Sequence, residues 1–144
     1  MVLMFKIVNL GKGYENYNNS KKLGVYGFIQ HYKPSISKLK PGDIIIFVYK
    51  KEVKSVAKFS SFKDKKDEPL INIETETDDN LNWKNAEKYT LQIKFSNLIE
   101  IENLNFIKSV NFGPPAIQDF NEDKHIINSK YNLKTIIEIK YNLF

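Results

Sequence analysis

Leu39-Lys40-Pro41-Gly42-Asp43-Ile44-Ile45-Ile46-Phe47-Val48-Tyr49 sets the frame for the rest of the chain. Pro at the second position of a turn and Gly beside it describe a type II turn, which delivers the backbone abruptly into a β-rich apolar strand. A second strand, Val53 to Phe62, follows almost at once and makes a central hairpin with Ile44 to Lys50. Upstream lie Tyr26-Gly27-Phe28 and the polar segment Gln30-His31-Tyr32-Lys33-Pro34-Ser35-Ile36-Ser37-Lys38. Pro34 suits the first turn of a short helix, and Ile36 and Leu39 at i, i+3 give Ser35 to Leu39 one apolar stripe.

Outward from this hairpin, Met4 to Val8 reads as a first strand and Leu10 to Lys22 as an irregular polar loop. Val25 to Ile29 is a short extended piece. Asp64 to Asn82 is a long charged stretch, with Leu70, Ile71 and Ile73 expected to touch the body near its middle. Lys88 to Glu102 alternates as a long strand, with Tyr89, Leu91, Ile93 and Phe95 on one face and a bend expected near Ser96-Asn97. Asn121 suits the cap of a helix starting at Glu122, with Ile126, Ile127 and Tyr131 inward. Lys134 to Lys140 fits a strand by β-branching and a helix by the residues before it. Strands at short intervals with inserted helices point to an α+β barrel and not to a doubly wound sheet.

The chain has 144 residues, 42% of them hydrophobic and 13% aromatic, which suits one packed domain spanning 1–144. Its longest apolar runs fall far short of the roughly 20 residues a bilayer requires. Met1 to Val8 lacks the basic region and cleavage site of a signal peptide, so a cytoplasmic location is expected. With no cysteine there is no disulfide framework and no thiolate metal site. The net charge of +5 is uneven: residues 1–72 carry 14 Lys against 6 acids and residues 73–144 carry 8 Lys against 11 acids. Every basic residue is Lys, which excludes bidentate reading of base edges by arginine. The lysine clusters, with Lys33, Lys38, Lys40, Lys50 and Lys51 as the phosphate-binding candidates, can supply salt-sensitive, sequence-independent attraction to nucleic acid.

Gly11-Lys12-Gly13 lacks the ending of a phosphate loop, and Glu74, Glu76, Asp78 and Asp79 lack the Gly and distal Glu of an EF-hand. His31 and His125 have no metal-ligand spacing, and His125 is expected on a helix surface. No nucleophile elbow, catalytic cysteine or metal cluster is visible, so neither enzymatic activity nor a metal or cofactor is expected. Asp64/Asp67 reads as an exposed carboxylate pair. What the sequence supplies is aromatic residues among small polar and basic ones, the materials for stacking and edge-reading a single flipped or unpaired base. Tyr26, Phe28, Tyr32, Tyr49, Trp83 and Tyr89 are candidate walls, and His31, Gln30, Ser35 and Ser37 are candidate edge readers; for Phe28, Phe47 and Phe95 a place in the core is the favoured reading.

Tyr26-Gly27-Phe28, a basic segment with His31 and Ser35, and Leu39-Lys40-Pro41-Gly42-Asp43 before an apolar strand together resemble the EVE domain family of the PUA-like superfamily, including its small stand-alone archaeal and bacterial members. Tyr26 stands where the family usually has Trp. Tyr89 before Leu91, Ile93 and Phe95 matches the family's strand-opening aromatic. Gly113, Glu122-Asp123 and Ile126-Ile127 match a later segment, in which Ile117 stands at the family's frequent Arg. The resemblance implies a small, bent, mixed β-barrel with helices packed at its openings. It further implies a nucleic-acid-binding module, for DNA or RNA, that inspects one base, modified or not, in a cleft around Tyr26, Phe28, His31, Ser35, Trp83 and Tyr89, with a nuclease or methylase as a candidate partner. Two other readings stay open: a small PUA-like hydrolase of a modified nucleoside, whose signature would be a Lys/Glu pair in the cleft, and a protein-interaction module acting through Asp64 to Asn82.

Overall fold

The computed structural model describes residues 3–11, 14–70, 88–107 and 117–142. The chain runs β1 (Phe5–Asn9), α1 (Tyr14–Ser20), β2 (Val25–Phe28), α2 (Lys33–Ile36), β3 (Ile44–Tyr49), β4 (Glu52–Asp64), β5 (Leu91–Glu100), β6 (Ile117–Asp119) and α3 (Leu133–Tyr141). The fold is α+β. Its six strands form one mixed sheet in the order β2-β5-β4-β3-β1-β6, with β1 parallel to β3 and the other pairs antiparallel. Among the described residues β2 and β6 do not pair with each other.

The turn ahead of β3 forms as its sequence dictates. The Asp43 N–H donates to the Lys40 carbonyl at 3.0 Å, and Gly42 has φ +95°, the left-handed value a type II turn demands at its third position. Asp43 is buried, and its carboxylate accepts from the Lys40 N–H at 2.8 Å and the Met4 N–H at 3.1 Å. One side chain thereby ties the turn to the start of β1, and Ile44 enters the sheet donating to the Met4 carbonyl at 2.9 Å.

Ile44 to Val48 are all fully buried because β3 is covered on both faces. Ile45 and Phe47 point into one cluster with Val8, Tyr17, Ile36, Ala57, Leu91 and Ile93, roofed by α1 and α2. Ile44, Ile46 and Val48 point into a second with Ile7, Val56, Phe106, Leu133 and Ile137, roofed by α3 and the segment after β5. A strand of unbroken apolar residues rather than an alternating one is what a doubly covered position requires. The register shifts at Phe47/Val48 in the hairpin and at Val56/Lys58 and Phe59/Ser61 between β4 and β5, and Asn97 adopts φ 54° where a bend in β5 was expected.

Two segments depart from the sequence reading, and a third, open between strand and helix, is decided. Residues 10–22 contain helix α1, because Tyr17, 1% exposed, inserts under it and hydrogen-bonds the Ser55 hydroxyl; tertiary packing holds an Asn-rich segment whose own helix propensity is low. No helix starts at Glu122. The Asn121 side chain instead accepts from the N–H groups of Asp123 (2.8 Å) and Lys124 (3.2 Å), closing a local turn. Beyond it Ile126 and Tyr131 are exposed and only Ile127 faces inward. His125, expected on a surface, is buried: its Nδ1 accepts from the Asn121 N–H at 2.8 Å and its ring lies against Phe120 and Phe106. Lys134 to Lys140 is helical. Asn132 caps α3 by accepting from the Thr135 N–H at 2.7 Å, and Leu133 and Ile137, one turn apart, are its buried stripe.

Candidate functional site

Where the 3₁₀ turn Gln30–Tyr32 leads into α2, it passes over the end of β4 and the approach to β5. Pro34 in the first turn of α2 and the buried Ile36 fix how this segment sits, as the sequence predicts. An open cleft of about 460 Å³ lies there, lined by Gln30, Asp64, Lys65, Lys66 and Thr90. Its volume falls in the ordinary range for small-ligand sites, roughly 300–1,000 Å³.

Asp64 organises the cleft. Its carboxylate is 3% exposed and accepts from Lys33 Nζ at 2.8 Å, Gln30 Nε2 at 3.0 Å and the Lys66 N–H at 3.2 Å. Gln30 Nε2 also donates to the Thr90 hydroxyl at 2.8 Å. The Lys65 N–H donates to the Thr90 carbonyl at 2.9 Å, and the Asp67 and Glu68 N–H groups fold back onto the Asp64 carbonyl, so the turn that ends β4 is pinned on both sides. The Lys33 hydrogen bond, reinforced by the Lys66 N–H and Gln30 against the cost of burial, holds the Asp64 carboxyl below its usual pKa; the same bond raises that of Lys33. Both groups therefore remain charged at neutral pH.

The arrangement offers hydrogen-bonding groups from Gln30 and Thr90, a negative charge beneath them, and two lysines at the rim, Lys65 and Lys66, the latter with its Nζ 3.8 Å from the Asp64 carboxylate. Such a set can hold a planar polar group and neutralise an anion attached to it. Among the described residues no three His, Cys, Asp or Glu side chains gather as metal ligands.

Of the residues singled out as a base pocket, Tyr26, Phe28 and Tyr89 share one cluster, the first two as buried core and Tyr89 packed against it. Tyr26 and Phe28 are core, 6% and 3% exposed; Tyr26 packs edge-on against Phe28 at 5.2 Å, and burial raises its hydroxyl pKa. Both belong to the cluster under α1 and α2. His31 is exposed beside Gln30, edge-on to Tyr32. Ser35 is half-buried on α2, and Tyr89 is half-buried next to Thr90, against the same core. Trp83 lies outside the described residues.

The phosphate candidates separate. Lys33 is committed to Asp64 and is not a free cation. Lys38 and Lys40 are exposed beside the β3 turn, while Lys50 and Lys51 are exposed at the β3–β4 hairpin tip, the opposite end of β4 from Asp64. The carboxylate that organises the cleft was read in the sequence as part of an exposed pair. Gln30 alone among the cleft-lining residues was picked as an edge reader.

No family model matches the chain, and no curated protein matches it. Among solved structures, a hypothetical protein from Leishmania major aligns over 99% of this chain and 97% of its own, at 8% identity and a TM-score of 0.44. No helix among the described residues is long and apolar enough to cross a membrane.

Proposed function

We propose that this chain is a nucleic-acid-binding module that inspects a single base, and the modification it carries, in the cleft above Asp64. The observation that carries the reading is the Gln30–Asp64–Thr90 hydrogen-bonded floor, open to solvent and flanked by Lys65 and Lys66. Edge reading requires fixed donors and acceptors, which this network supplies; affinity requires cations near a sugar-phosphate chain, which the lysine-rich half supplies. The EVE-type, PUA-like assignment rests on the Tyr26-Gly27-Phe28 and Lys40-Pro41-Gly42-Asp43 pattern and its place ahead of the β3–β4 hairpin. A nuclease or methylase working alongside belongs to the same reading.

One observation favours a second reading. Lys33 and Asp64 form a lysine–carboxylate pair in the cleft, the arrangement a small nucleoside hydrolase of this superfamily would need, with Asp in place of Glu. The directions of their shifts oppose it: a carboxylate held below its usual pKa is a weak general base, and a lysine held above its own is a weak nucleophile.

The test is binding to matched oligonucleotides differing by one modified base, followed by mass spectrometry of the recovered ligand. Gln30→Ala and Thr90→Val should erase the difference between modified and unmodified ligand while leaving total binding within a few fold. Lys38→Gln with Lys40→Gln should flatten the salt dependence by about 0.7 for each phosphate left unneutralised on a single strand. Equal affinities for every base in the native chain would overturn the base-reading proposal, and a chemically altered ligand would replace it with the hydrolase.

A further inference from the structure

At the other end of β4 from the cleft, Tyr14 of α1 and Tyr49 of β3 stack face to face, centroids 4.2 Å apart and planes 10° from parallel. Both rings are half-buried against the cluster under α1 and α2, so this stack and the Asp64 cleft lie on the same side of the sheet. Lys50 Nζ stands 5.4 Å from the Tyr49 ring centre and Lys54 Nζ 5.4 Å from that of Tyr14, while Lys21 Nζ lies 5.5 Å from the ring of Tyr17 just beneath. Lys21 is matched by Glu100 at 2.8 Å and Lys54 by Glu52 at 3.1 Å. Lys22, Lys50 and Lys51 have no ion-pair partner among the described residues and are exposed. A hydrogen bond with Asn18, opposed by burial and helped by Lys54, holds the Tyr14 hydroxyl below its ordinary pKa.

Packing alone does not require this set. A hairpin tip needs residues that permit the turn; it does not need two adjacent lysines beside a parallel aromatic pair. Aromatic faces at the floor of a cationic groove are what successive unpaired bases require, because every base has a face to stack and every linkage a charge to neutralise. From Lys54 to Asp64 the strand covers ten residues, about 33 Å at ~3.3 Å per residue.

We propose that the Tyr14–Tyr49 ledge with Lys50, Lys51 and Lys54 is a second nucleic-acid contact, a docking surface for unpaired nucleotides independent of base identity. A strand whose inspected base sits over Asp64 would reach the ledge within about ten nucleotides, the number needed even at the ~3.4 Å spacing of a stacked strand. The common ligand rests on the reading of the cleft; the ledge itself does not.

The experiment is fluorescence anisotropy of a labelled, unmodified oligothymidylate of about twelve nucleotides, long enough for that span, titrated with the full chain at several salt concentrations. Lys50→Gln with Lys51→Gln, both at exposed positions, should lower the log–log salt slope by about 1.4, at ~0.7 per phosphate. Tyr49→Ala should weaken binding between about fivefold and a hundredfold by removing a stacking surface. In a Gln30→Ala, Thr90→Val background oligothymidylate affinity should shift by no more than a few fold and both ledge effects should persist, which separates the two sites: loss of base discrimination with intact ledge effects would remove only the cleft reading. Native slope and affinity in both the lysine and the tyrosine variants would overturn the ledge. Equal competition by polyglutamate would also overturn it, since the surface would then be a general polyanion site with no stacking.

Discussion

Replacing Tyr26 by Ala separates a core residue from a pocket wall. The ring is 6% exposed and edge-on to Phe28 at 5.2 Å and Phe47 at 6.0 Å. A buried aromatic removes roughly 150–250 Å² from water, worth about 4–6 kcal/mol at ~25 cal/mol per Å² as an upper estimate. The methyl that Ala retains lowers this and the two aromatic contacts raise it, so a loss of about 4 kcal/mol is expected, within the ~3–5 kcal/mol of comparable truncations. For a chain of this length that is a drop of roughly 10–15 °C in midpoint. Tyr26→Phe keeps the ring and should cost only about 1 kcal/mol. Urea unfolding followed by circular dichroism measures both variants, and an oligonucleotide titration of the folded fraction measures selectivity. A stability for Tyr26→Ala within about 0.5 kcal/mol of native, with base discrimination abolished, would mean that the ring faces a ligand and that its burial has been misjudged.

Two more outcomes come from the packing. Gly24 has φ +70°, and a Cβ there would lie 2.5 Å from the Phe95 carbonyl oxygen, a backbone atom of the neighbouring strand. Gly24→Ala combines a left-handed penalty of ~1–2 kcal/mol with that clash, so a thermal melt should record a loss of at least about 2 kcal/mol; an unchanged melt would show that β2 and β5 are not so closely joined. For His125, burial first and Lys124 second depress the pKa below its ordinary value. The unfolded chain then binds more protons, so stability should fall as pH drops through about 6.5 and level off below the folded-state midpoint. Two-dimensional NMR of the imidazole checks the cause, and a His125 midpoint above about 6.5 would refute it.

The parts of the fold legible in the sequence are those fixed by local chemistry. Lys40-Pro41-Gly42-Asp43 names its own turn, the Ile44 to Val48 run announces a strand covered on both sides, and Ile36 with Leu39 marks a short buried stripe. The parts that stayed hidden are held by contacts distant in sequence. Helix α1 depends on Tyr17 reaching Ser55, and the environment of Asp64 is assembled from Gln30, Lys33 and Thr90 on two other segments. No window of neighbouring residues contains that information. Asn121-Glu122-Asp123 misled for a related reason: a side chain that can cap a helix can equally close an isolated turn, and the packing of the residues beyond it decides which. Aromatic alternation in Tyr26-Gly27-Phe28 likewise fixes which residues share a face, but whether that face meets solvent or another layer depends on the surface that α1 and α2 cover.

Asp43 and Asp64 are both buried carboxylates, and they differ in what holds them. Asp43 takes its hydrogen bonds from two backbone N–H groups, Lys40 and Met4, at the turn it closes. Backbone partners are sequence-independent and already in place, so this carboxylate is a staple and its conspicuous motif needs no ligand to account for it. Asp64 is held by two side chains, Lys33 and Gln30, as well as by the Lys66 N–H, and the cleft opens above it. Burying a charge is costly unless its partners hold it, and partners recruited from separate elements are a less direct way to finish a strand than a local turn would be. Such a cluster at the rim of a cleft is better explained by the groups it presents to solvent than by its addition to stability, which is why the candidate site belongs at Asp64 and not at the more recognisable Asp43.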